Sequence, residues 1–134
     1  MTSASVKAPK VKVIRAKVSG KSKVPASVTY QKVTYQVASI GSKAFKNCKK
    51  LKQLTVPASV KTIGKQAFRG CSSLKTLVIK SKHLTKKSVK GSLKGSKIKK
   101  IRVKLGSAKT TRKYVRRYRK YFRKANSGRT VIIK

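Results

Sequence analysis

Residues 40–62 read IGSKAFKNCKKLKQLTVPASVKT, and residues 63–84 read IGKQAFRGCSSLKTLVIKSKHL. At an offset of 23, Ile40 aligns with Ile63, Gly41 with Gly64, Ala44 with Ala67, Phe45 with Phe68 and Cys48 with Cys71. The match continues through Leu51 and Leu74, Leu54 and Leu77, and Val56 and Ile79. So many matches at one spacing mark a duplicated structural unit. A unit this short cannot bury an apolar face alone, so copies must stack. Each unit contains L-x-x-L-x-V/I, whose last two apolar positions alternate as a short strand with one buried face requires.

The pattern extends in both directions. Downstream, Leu93, Gly95 and Ser96 stand where Phe68, Gly70 and Cys71 stood, and Ile98, Ile101 and Val103 echo Leu74, Leu77 and Ile79. Upstream, Val24-Pro25-Ala26-Ser27-Val28 repeats Val56-Pro57-Ala58-Ser59-Val60, with an insertion, Thr29–Ser39, before Ile40. Residues 28–37 read as a hairpin turning on Gln31-Lys32, neither of which readily takes the positive φ of a tight primed turn.

The ends read as caps, because the terminal rungs of a stack must shield its exposed core. Val11, Val13 and Val18 suit an initial strand. At the other end, Thr110 or Thr111 is expected to cap a helix running to about Ala125, stopped by Asn126-Ser127-Gly128. Val131-Ile132-Ile133 then reads as a closing strand.

The register I-G-x-x-A-F-x-x-C-x-x-L-x-x-L-x-V/I resembles leucine-rich repeats, and more closely the BspA-like subclass of bacterial surface proteins. The resemblance is specific over residues 24–84 and weaker over 85–105. It implies an α/β repeat solenoid: a short right-handed array with a narrow parallel sheet, an N-terminal strand and hairpin cap, and a C-terminal helix-plus-strand cap. One domain, 1–134, divides into a cap and hairpin (1–39), repeats (40–105) and a helix and strand cap (106–134). The resemblance also implies a secreted or cell-surface setting and a role in adhesion or other binding. Positions commonly Asp, Asn or Glu in such repeats are here Ser42, Lys43, Lys65 and Gln66, which puts any inherited ligand specificity in doubt.

Those departures belong to a wider pattern. The 134 residues contain 39 Lys and Arg and no Asp or Glu, where roughly a dozen or more carboxylates are usual. Apart from the C-terminal carboxylate, the chain holds no internal counter-ion, so neutralisation must come from phosphate, sulfate or carboxylate polymers outside it. No stretch reaches the roughly eighteen apolar residues of a membrane span. Met1–Lys10 lacks the apolar core of a secretory signal, so either the protein stays inside the cell or a mature segment begins here with an added Met.

The sharpest local signal is the last helix. Tyr114, Val115, Tyr118, Tyr121 and Phe122 form one stripe, and Arg112, Lys113, Arg116, Arg117, Arg119, Lys120, Arg123 and Lys124 surround it. The stripe either packs on the solenoid end or offers an amphipathic face to an anionic membrane or a phosphate backbone. The cations have no carboxylate at i±4 to pair with, so an anionic partner is expected on that face. Lys97, Lys99, Lys100, Arg102 and Lys104 form a second polyanion-binding cluster, and cations on successive rungs are expected to align into ridges.

Catalysis is poorly served. General acid–base pairs, divalent-metal sites and glycosidase carboxylates all need residue types absent here. Cys48 and Cys71 occupy equivalent repeat positions, either as small buried side chains or as a disulfide between rungs. With His83 they lack both an orienting carboxylate and a fourth zinc ligand. No enzyme, cofactor, metal or small-molecule substrate is expected. Three functions fit: a non-catalytic module binding DNA, RNA, sulfated glycans or anionic envelope polymers; a supercharged carrier scaffold, natural or engineered; or a membrane-active cationic protein working through the helix.

Overall fold

A computed structural model describes residues 10–13, 20–24, 27–127 and 131–133. Among the described residues, nine strands and two helices follow in chain order: β1 (Lys10–Val13), β2 (Gly20–Lys23), β3 (Ser27–Tyr30), β4 (Val33–Ile40), β5 (Leu51–Val56), β6 (Thr62–Ile63), β7 (Thr76–Ile79), β8 (Lys100–Val103), α1 (Ala108–Tyr121), α2 (Lys124–Ser127) and β9 (Ile132–Ile133). The L-x-x-L-x-V/I segments become the middle strands of a five-stranded parallel sheet ordered β2-β5-β7-β8-β9. Its register is the sequence repeat itself: Leu54 faces Leu77 and Leu77 faces Ile101, while Val56 faces Ile79 and Ile79 faces Val103. Stacking therefore places equivalent residues on one another, the condition for a continuous core.

The core is built in layers. Ile40, Ala44, Phe45, Leu51, Leu54 and Val56 fill one rung, and Ile63, Ala67, Phe68, Leu74, Leu77 and Ile79 the next. In the third, Val89, Leu93, Ile98, Ile101 and Val103 are buried. The Phe45 and Phe68 rings stack with centroids 5.7 Å apart and planes at 22°. Cys71 is fully buried and its thiol donates to the Phe45 carbonyl at 2.8 Å. Both cysteines are buried thiols, not joined in a disulfide. Burial pushes the Cys71 thiol up to about 11. Its thiolate population at pH 8 is then about a hundredfold below that of an ordinary cysteine. Cys71 should accordingly resist iodoacetamide in the native protein and react promptly in urea, as peptide mass spectrometry would show.

The unit also builds a second sheet. Its Ile-Gly segments pair in parallel as β4 and β6, through Ser39 with Thr62 and Ile40 with Ile63. β1 joins β4 in parallel, and β3 closes the hairpin against it. Gly64 is required where these rungs meet: a Cβ there would lie 2.4 Å from the Ser42 amide nitrogen and 2.5 Å from the Gly41 carbonyl carbon. In the third rung a 3-10 turn, Lys87–Val89, replaces the strand and buries Val89 in the core.

Left-handed backbone recurs with the repeat. Lys43, Gln66 and Gly91 have φ of 58°, 55° and 70°, and Asn47, Gly70 and Gly95 have 61°, 80° and 80°. Cross-rung bonds hold these turns, including Gln66 N–H to the Gly91 carbonyl at 2.9 Å and Gly70 N–H to the Gly95 carbonyl at 3.2 Å. Lys and Gln pay a steric penalty here that Gly and Asn largely avoid. Lys43→Asn should therefore stabilise the fold by about 0.5–1 kcal/mol, measured as a rise in urea midpoint at constant m-value. The hairpin turn shows the same tolerance: Gln31 and Lys32 do adopt positive φ, 49° and 63°. The two-residue loop fixed by Tyr30 facing Val33 demands that geometry, and residue preference yields to it.

At the C-terminal end the helix cap lies earlier than expected. Ser107, not Thr110 or Thr111, is the N-cap, accepting from the Thr110 amide at 3.2 Å. Thr111 Oγ1 instead accepts from the Leu105 amide at 3.1 Å, fixing the angle at which the chain enters α1. The helix also stops sooner, at Tyr121, and α2 follows as a separate turn. Asn126 explains the break: its Nδ2 donates to the Tyr121 carbonyl at 2.7 Å and to the Lys86 carbonyl at 2.8 Å. One side chain caps the helix and ties it to the third rung. β9, from the expected closing strand, pairs in parallel with β8. Val18 and Gly128 lie outside the described residues.

Candidate functional site

The apolar stripe of α1 faces inward. Val115, Tyr118 and Phe122 are buried in the core, with Tyr114 and Tyr121 half-buried against it. Tyr118 is the deepest, its hydroxyl donating to the Ser81 carbonyl at 2.5 Å, and burial holds its phenol well above the ordinary range. Ser81 in turn donates to the Val60 carbonyl and accepts from the His83 amide at 3.1 Å. Apart from that backbone bond, His83 is an exposed loop residue.

With the stripe consumed, the rest of α1 faces solvent as cations. Arg112, Lys113, Arg116, Arg117, Arg119 and Lys120 are all exposed, and Arg123 and Lys124 continue the surface beyond the helix. Lys109, Arg112, Lys113 and Arg116 alone line a shallow depression of about 340 Å³. Two of the cations also serve the fold. Arg117 sits over the Tyr114 ring at 4.8 Å from its centroid, and Arg119 Nη2 donates to the Ile133 carbonyl at 3.3 Å. These contacts hold both guanidinium groups close to the cap.

The second predicted cluster lies elsewhere. Lys97, Lys99, Arg102 and Lys104 are exposed and Lys100 is half-buried. Strand alternation turns Lys100 and Arg102 away from the core that Ile101 and Val103 enter, whereas the buried side of α1 belongs to that same core. Lys100 and Arg102 therefore lie on the outer face of the sheet, apart from α1, whereas Lys104 and Arg112 line one shallow depression with Leu105, Gly106 and Thr111, so the two clusters meet only at that edge.

Register adds Lys75, Arg69 and Lys94, which the sequence reading missed, to cations already named. Lys52, Lys75 and Lys99 form one exposed column, linked by Lys75 N–H to the Lys52 carbonyl at 3.2 Å and Lys99 N–H to the Lys75 carbonyl at 2.9 Å. Lys46, Arg69 and Lys94 occupy equivalent turn positions and are likewise exposed. Arg69 lies close over the next rung, its Cγ 3.0 Å from where a Gly95 Cβ would stand. Lys75, Arg69 and Lys94 were recoverable by carrying the repeat offset over to basic positions. Rungs in such a sheet are about 4.7–4.9 Å apart, so each column sets like charges closer than a Debye length.

Stacked rungs, in-register apolar ladders and a capped end define a leucine-rich-repeat solenoid. The profile of the BspA type leucine rich repeat region matches residues 24–120 in six copies, and the chain belongs to that family. No curated protein matches it. Among solved structures, it is similar to a leucine-rich repeat protein from Bacteroides capillosus at 25% identity and a TM-score of 0.55, over 92% of this chain and 86% of that one. It is also similar to a leucine rich cell surface protein from Faecalibacterium prausnitzii (32% identity, TM-score 0.43, 64% of this chain and 20% of that). A third likeness is to a leucine-rich repeat protein from Bacteroides ovatus (27% identity, TM-score 0.47, 66% of this chain and 27% of that). The chain thus spans about a fifth and about a quarter of the length of the last two.

Proposed function

We propose that this chain is a non-enzymatic binding module, secreted or held at a cell surface, that attaches to anionic polymers through distributed Lys and Arg. The observation that carries the reading is the outward face of α1, where Arg112, Lys113, Arg116 and Lys120 stand exposed in a chain with no Asp or Glu. Such a face gains nothing from intrahelical pairing and loses energy to repulsion until an anion meets it. Membership of the BspA type leucine rich repeat family supports the setting, and the missing carboxylates argue against acid–base catalysis. A membrane-active role is disfavoured by the packing, because Tyr118 and Phe122, which would have to enter lipid, are 0% and 1% exposed.

The test replaces Arg112, Lys113, Arg116 and Lys120 together with Gln. Affinity for heparin, duplex DNA and single-stranded RNA should fall in parallel, and the salt slope for DNA should shrink by about 1 for each phosphate no longer neutralised. Unchanged affinities and slopes would move the interface off the helix.

A further inference from the structure

We infer that the outer face of the five-stranded sheet is a seat for a linear anionic glycan laid across the strands, a proposal that rests on the polyanion reading above and narrows it. In register, the outward positions form two rows: Lys21, Gln53, Thr76 and Lys100, and Lys23, Thr55, Val78 and Arg102. In these rows β2 and β8 contribute four cations, whereas β5 and β7, which lie between them, contribute none; beyond β8 the edge strand β9 sets the exposed Ile132 beside Lys100. Beyond the rows, Lys52, Lys75 and Lys99 form one exposed rim, and Lys80 and Lys104 the other. A neutral centre of amide and hydroxyl groups is thus framed by cations on all four sides. Thr55, Thr76 and Gln53 are half-buried in it, and Val78 is only 4% exposed although it points away from the core.

That arrangement suits sugar better than a bare phosphate chain. A polyphosphate is held chiefly by continuous cations; Gln and Thr can bond to phosphate oxygens and position them but add nothing to the charge term that dominates such binding. Sugar hydroxyls exchange hydrogen bonds with amide and hydroxyl side chains, while carboxylate or sulfate groups on the same polymer reach the lysine rims. Spacing agrees as well. Neighbouring strands are about 4.7–4.9 Å apart, close to the length of one pyranose in an extended chain. A glycan crossing the strands would meet a fresh set of side chains at each sugar, with one ammonium of the Lys52–Lys75–Lys99 rim per strand.

The experiment compares the parent chain with Gln53→Ala/Thr76→Val, which leaves the charge unchanged. Probes are polyuronate oligosaccharides, heparin oligosaccharides of the same length and a DNA duplex, each measured by calorimetry at one salt concentration. Losing two hydrogen bonds should weaken glycan binding about tenfold and leave DNA binding unaltered. Loss for polyuronate alone, or for heparin alone, names carboxylate or sulfate as the recognised group. A second variant, Lys52→Gln/Lys75→Gln/Lys99→Gln, should weaken the glycans more than DNA, which α1 still holds. Equal loss for glycan and DNA, or no loss for either, overturns the glycan seat while polyanion attachment stands. Failure of the parent chain to bind any of the three probes would instead overturn the polyanion reading itself, and this proposal with it.

Discussion

Raising monovalent salt from about 50 to about 200 mM should weaken binding to duplex DNA by about a thousand- to ten-thousandfold. The figure follows from counting charge on the cap. Eight cations run from Arg112 to Lys124, and two of them, Arg117 and Arg119, also contact the Tyr114 ring and the Ile133 carbonyl. Neutralising about six to eight phosphates gives a slope of log K against log salt of about −5 to −7. Heparin and single-stranded RNA should show steep slopes too, since the proposed interaction relies on charge held at a surface rather than on base reading. Fluorescence anisotropy across a salt series measures all three. A slope shallower than about −2 combined with tight binding would mean that shaped, desolvated contacts dominate. Distributed charge would then be the wrong account.

The second large effect is on the fold. Phe68 is fully buried, stacks on Phe45 and belongs to the middle of three rungs, so it has core on both sides. Phe68→Ala should cost about 3–5 kcal/mol. That is a large share of the roughly 5–15 kcal/mol typical of domains, and self-repulsion here lowers the total further. At low salt the variant should lose its cooperative thermal transition, read by far-ultraviolet circular dichroism. Phe68→Leu should lose less than about 1.5 kcal/mol, because the third rung already accommodates Leu93 at the equivalent place. Equal damage from both substitutions would show that the ring stack, rather than filled volume, holds the rungs together.

Much of this was legible in the residues, for a definite reason. The offset linking Leu54 to Leu77 and Val56 to Ile79 became the strand register, because stacked copies can share a core only when equivalent side chains coincide. The second sheet was not legible. β6 comprises only Thr62 and Ile63, too short for any period to register, and neighbouring rungs rather than local preference set its pairing. The helix start was ambiguous since Ser107, Thr110 and Thr111 can all cap; the docking of Tyr118 and the entry bond to Thr111 decide among them. For the candidate interface, periodicity identified the exposed cations of α1. It could not show that Arg117 and Arg119 double as fold contacts, nor that Lys100 and Arg102 face another way while Lys104 meets Arg112. Alternation points Val78 outward, yet it is buried on that face, flanked in register by Thr55 and Arg102.

The lysine columns impose a rule of growth. Because Lys52, Lys75 and Lys99 repeat with the rungs, every additional turn of this composition would lengthen a line of like charge as well as the core beneath it. Apolar gain is shared between adjoining turns, whereas repulsion also reaches past them, so a longer array would tolerate dilution less well unless each turn recruited its own counterion. Polymer wrapped along such an array would act as an external spine, and size and occupancy would rise together.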